Sequence, residues 1–251
     1  MPTASPRRRG PGQSRAAMRR AERERAARRR RALRWGGVLL VIVAIAVGIA
    51  VALSGGSSGS SPTRVHTDVA TATVGGPTGP EGIPLQSGAV LAPETTSAAG
   101  QIVDGIHCNT TEQVAYHVHA HLSVYVNGQL RPIPPGIGIV QPVASQAANG
   151  PLYGASICYY WLHVHAQDGV IHIESPSIRR YTLGNFFDIW GQQLSTDQVD
   201  SASGPLTVFV DGRPYRGDPR AIPLESHEDI QIDVGNPAVP PQKVDWSGTS
   251  L

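Results

Sequence analysis

The sequence predicts a mainly β, α+β domain: an antiparallel, barrel-like sheet with one short amphipathic helix, preceded by a single transmembrane helix. Three observations predict it. Apolar and polar residues alternate with period two through several short runs, two of which end in Asn-Gly or Asp-Gly. The stretch 182–194 carries apolar residues at helical spacing, and 36–53 holds 18 residues without a charge. Strand side chains alternate faces while helical ones recur every three or four positions, so the patterns separate the two element types.

Residues 1–34 hold 13 arginines with Glu22 and Glu24 the only acids, a net of +11. The apolar run that follows, taken as 35–53, spans roughly 27 Å as a helix, close to the hydrocarbon thickness of a bilayer. Ala52-Leu53-Ser54 imitates a signal-peptide cleavage site, but the run is longer than such a peptide's apolar region, so an uncleaved anchor is the better reading. The positive-inside rule keeps the Arg-rich arm cytoplasmic, beside anionic lipid, and sends the rest across the plasma membrane. The formal charge of +2 is therefore a cancellation: 8 basic and 17 acidic residues remain after the arm, about −9 in all. An acidic exterior domain excludes nucleic acid as an expected partner and suits cations.

From 54 to 100 the chain is rich in Ser, Gly, Thr and Pro, the composition of a flexible linker, and His66 within it reads as solvated. The exported domain is then 101–251. Within it Leu122–Gln129 and Leu206–Arg213 match in kind at eight positions, and each is followed by an Ile-Pro pair, Ile133-Pro134 and Ile222-Pro223. Either two similar β-units, 101–195 and 205–235, or hairpin chemistry alone produces such an echo. Further strands are predicted at 137–143, 157–166, 170–175 and 229–234. The helix starts at Thr182, a good N-cap, and buries Leu183, Phe186, Phe187, Trp190 and Leu194 as one stripe.

Six of the nine histidines lie between Tyr116 and Glu174, in two runs with strand spacing. His117, His119 and His121 share one face of the first run. In the second, an Asp168-Gly169 hairpin turn would set Gln167 opposite Val170, His165 opposite His172 and His163 opposite Glu174. Three imidazoles and a carboxylate would converge there. His117 and His121 stand roughly 13 Å apart along a strand, too far to share one ion, so the first run supplies one or two ligands. Imidazole with carboxylate suits divalent Zn, Cu, Ni or Fe. Isolated His107 and His227 read as ordinary satisfied polar groups. The clusters themselves have a bland alternative, a hydrogen-bonded network with Ser123, Tyr125 or Tyr159.

Cys108 and Cys158 are the only cysteines, and on the exported side an even count reads first as a disulfide. The competing reading makes Cys158 and His163 ligands of a blue-copper type site. Such a site usually wants an axial methionine, and Met1 and Met18, the only ones, lie in the arm.

The combination YHVHAHLSVYVNGQ, CYYWLHVHAQDGVIHIESP and YTLGNFFDIWGQ resembles a functionally uncharacterised prokaryotic family of membrane-anchored, His-rich exported proteins, over about residues 104–195. The resemblance implies that Cys108, the histidine runs, Glu174 and the aromatic helix act as one unit, and it supplies no reaction. The expected function is an extracytoplasmic binding module that buffers, senses or delivers a divalent transition metal. Its expected partners are the bilayer, the metal ion and an envelope protein. The alternatives are a metalloenzyme with Glu174 or Asp168 as base and a structural envelope protein whose histidines bind nothing. No GxSxG, HExxH or phosphate-loop pattern is present.

Overall fold

A computed structural model describes residues 72–73 and 75–251. The Arg-rich arm, the predicted anchor and the predicted linker through residue 71, with residue 74, lie outside the described residues; among those described, no helix is long and apolar enough to cross a membrane. In chain order the strands begin with β1 (Ala72–Thr73), β2 (Cys108–Asn109), β3 (Tyr116–Val126) and β4 (Gln129–Leu130). There follow β5 (Ile139–Ala147), β6 (Gly150–Tyr160), β7 (Leu162–His163) and β8 (Val170–Ser175), the last matching its predicted span. After the helix α1 (Leu183–Trp190) come β9 (Gln198–Val199), β10 (Ala202–Ser203), β11 (Leu206–Val210), β12 (Arg213–Tyr215), β13 (Glu228–Val234) and β14 (Gln242–Lys243).

Among the described residues the fold is mainly β with one α-helix, as periodicity predicts. The main sheet has seven strands in the order β12-β11-β13-β3-β8-β7, with β4 added to the end of β3. It is open-ended and mixed rather than barrel-like and antiparallel, because β13 inserts beside β3 in parallel, Leu122 against Ile230. A parallel neighbour needs a long crossover, which no local turn signal announces. β2, β6 and β5 form a separate three-stranded sheet.

Both echo segments are hairpins with two-residue turns. Asn127-Gly128 (φ 50° and 76°) and Asp211-Gly212 (φ 51° and 72°) occupy the positive-φ positions that this turn type demands. They do not form separate subunits: β3 and β11 flank β13 on either side within one sheet. Ala120, Leu122, Val124, Ile171, Ile173, Ile230 and Ile232 line its apolar face and share a core with Phe186, Phe187 and Trp190. The Thr182 side chain accepts from the Asn185 backbone N–H and caps α1; Gly191, left-handed at φ 73°, ends it before Leu194.

The composition of 54–100 misled on its second half. Ile83, Leu91 and Ala92 are buried, and the Gln86 backbone N–H donates to the Gln167 carbonyl at 2.8 Å while its side chain donates to the Leu122 carbonyl at 2.9 Å. A few apolar anchors, Leu91 and Ala92 in the main core and Ile83 against Val170 and Val244, combine with these long-range hydrogen bonds to hold the strap, and an average over composition registers neither. Cys108 and Cys158 form a disulfide, Cα to Cα 5.4 Å, joining β2 to β6. That removes Cys158 as a metal ligand.

Candidate metal centre

β3 and β8 run antiparallel with His117 opposite Glu174 and His119 opposite His172. On its other side β8 pairs with β7, which sets His163 opposite His172. His119, His172 and His163 thus form a row across three adjacent strands, with His172 in the middle. The predicted two-residue hairpin is wrong. After His163 the chain leaves β8, the Val164 N–H donating to the Ile137 carbonyl at 3.0 Å and the Tyr153 N–H donating to the His165 carbonyl at 3.0 Å. The connection is six residues, 164–169, and the register slips by two. A slip of two preserves the face of every side chain, so the predicted residues still converge.

Two groups of potential ligands result, each with its ligand atoms within 4.8 Å of one another: His117, His119, His172 and Glu174, and His163, His165, His172 and Glu174. In the first, four contacts close a ring. His117 Nε2 lies 3.0 Å from His119 Nε2, which is 3.1 Å from His172 Nδ1. His172 Nδ1 is 3.3 Å from Glu174 Oε1, which is 3.0 Å from His117 Nε2. Ligand atoms around one ion at 2.0–2.2 Å stand roughly 3–3.5 Å apart, so this spacing is that of a coordination sphere.

The second group carries a sharper constraint. His163 Nδ1 donates to the Tyr160 carbonyl at 2.8 Å and His165 Nδ1 to the Tyr153 carbonyl at 2.6 Å. A carbonyl only accepts, so each Nδ1 holds its ring's single proton and each Nε2 presents a lone pair. Those lone pairs face each other at 3.0 Å. Two neutral rings fixed in this way have no proton for the contact, and both lone pairs are left to accept from a donor or to ligate a cation. Burial, with neighbouring imidazoles adding to it, holds His163 well below the usual histidine range and His165 below it too. Both rings are therefore held neutral, the protonation state that a metal ligand needs.

His172 differs. Burial lowers its proton affinity, but hydrogen bonds to Glu174 and Glu81 and their charges outweigh that and raise it to about 9. Its Nε2 lies 2.8 Å from Glu81 Oε1. A carboxylate on the far nitrogen fixes the ring and leaves Nδ1 for a metal, the usual arrangement around a ligating histidine. Glu81 belongs to the strap and carries no motif, so only the folded chain reveals it. Glu112, with Oε1 3.5 Å from His165 Nε2, was likewise missed, its separation from His165 hiding the contact.

His121, a predicted ligand, joins neither group. Its Nε2 donates to the Asp168 carbonyl at 2.9 Å. Asp168 in turn accepts from the Val170 N–H at 3.0 Å and holds the 164–169 turn. His107 stacks on Trp161 and His227 on Trp246, in keeping with their bland reading. No protein-family model, no curated protein and no solved structure matches this chain, so the functional reading stands on the site's own geometry.

Proposed function

We propose that this domain is an extracytoplasmic, membrane-anchored module that binds a divalent transition metal and serves to buffer, sense or hand on that metal. The observation that carries the reading is the pair of facing Nε2 lone pairs on His163 and His165, each locked by a backbone carbonyl. The closed ring of ligand-spaced atoms on His117, His119, His172 and Glu174 supports it. Imidazole with one carboxylate favours Zn, Ni, Cu(II) or Fe(II) over hard cations and over Cu(I). The disulfide supports an oxidising compartment, and the charge asymmetry on either side of the apolar run supports the orientation.

Calorimetric titration of Zn²⁺ into metal-free protein tests the reading. His163→Ala/His165→Ala should abolish binding at that pair, seen as a lower metal stoichiometry or as an affinity cut by more than tenfold. Unchanged affinity and stoichiometry in that double variant would return the histidines to a structural role.

A further inference from the structure

We infer that the centre holds two divalent ions side by side, bridged by the Glu174 carboxylate, a conclusion that rests on the metal-binding reading above. The candidate ligands separate into two groups that share His172 and Glu174 and do not merge into one. A single ion cannot serve both, because ligands on opposite sides of one ion stand at most roughly 4.2 Å apart. The strand order explains the division. His117 and His119 come from β3 on one side of β8, while His163 and His165 come from β7 and the turn after it on the other.

Glu174 lies on the middle strand and is built to bridge. Its Oε1 sits 3.0 Å from His117 Nε2 and 3.3 Å from His172 Nδ1, within the first group. Its Oε2 is buried and has no hydrogen-bond partner among the described residues. A buried, unpartnered carboxylate oxygen is costly, and a second cation on the His163/His165 side would satisfy it. Carboxylates commonly link ions about 3.5–4 Å apart in two-metal sites. The first ion would take His117 Nε2, His119 Nε2, His172 Nδ1 and Glu174 Oε1. The second would take His163 Nε2, His165 Nε2 and Glu174 Oε2, with Glu112 within reach of His165. Glu81, Glu112 and Glu174 supply the negative charge that lets two divalent cations sit this close.

The test is metal stoichiometry of the purified full-length protein, stripped and reloaded separately with Zn²⁺ and Cu²⁺, then freed of excess and analysed for metal. Two ions per chain are expected. The paired variants His117→Ala/His119→Ala and His163→Ala/His165→Ala should each retain one, with circular dichroism checking that they fold. The Cu²⁺-loaded wild type needs no variant: bridged ions should show magnetic coupling, as a loss of the ordinary Cu(II) resonance signal. One ion per chain, two ions in either paired variant, or two uncoupled ions would overturn the bridged pair while leaving metal binding in place. No bound metal would overturn both readings.

Discussion

The protons on His163 and His165 are committed to the Tyr160 and Tyr153 carbonyls, whereas His172 has carboxylates at both nitrogens. That difference sets the pH response. In metal-free protein the folded state keeps a proton on His172 up to about pH 9, while the unfolded chain releases it near 6.5. This contribution to stability is complete below 6.5 and drains away as pH rises through 9. Asp168, raised to about 8 by burial and by the Glu81 charge, acts in the same direction. His119 and His121, pulled down by burial to about 3 and 4, exchange protons only below this window. The urea midpoint of metal-free protein should therefore fall between pH 6.5 and 9, and bound metal, replacing the His172 proton, should flatten the decline. A flat metal-free profile would contradict the His172 assignment. Glu81→Gln keeps the shape of the side chain but removes its charge from His172 Nε2, and should weaken metal affinity by about 10–100-fold. A competition titration with a chromophoric chelator reads this directly; unchanged affinity would show that Glu81 does not orient His172.

The 164–169 turn is the element on which the site depends, because it fixes the β7–β8 register and carries His165. Gly169 ends it at φ +85°, a conformation that L side chains rarely adopt. A Cβ there would stand 2.6 Å from the Leu122 carbonyl oxygen and 2.8 Å from His121 Nε2, and would also strike Gln86 Nε2. Neither the carbonyl nor the buried imidazole yields easily. Gly169→Ala should thus lower stability by about 1–3 kcal/mol in urea unfolding and weaken metal binding by displacing β7. A variant with wild-type stability would mean that the turn relaxes freely and does not set the register.

At the scale of the whole molecule, a strap, a disulfide and a mixed sheet enclose a polar centre within a domain of net negative charge. The proposed topology puts that domain outside the cell and the Arg-rich arm inside. Protease added to intact cells or spheroplasts should degrade the exported domain and leave the arm protected. A protected C-terminal domain would reverse the orientation and remove the compartmental argument for the disulfide.

Much of the site was legible because strand periodicity is local. The spacing of His117 and His119, of His163 and His165, and of His172 and Glu174 assigned each pair to one face, and a two-residue slip in register could not change that. The Cys108–Cys158 pairing, the positive-φ turns at Asn127-Gly128 and Asp211-Gly212, and the Thr182 cap followed from side-chain chemistry in the same way. Only the tertiary structure decided the rest. Backbone bonds from Val164 and His165 to distant segments chose the register, and the Asp168 carbonyl took His121 away from the other histidines. The strap at 75–92 delivered Glu81 and covered the polar face, and β13 entered in parallel beside β3. Each of these is a long-range hydrogen bond or ion pair between segments far apart in the chain, and a local pattern of apolar and polar residues carries no record of such a partner.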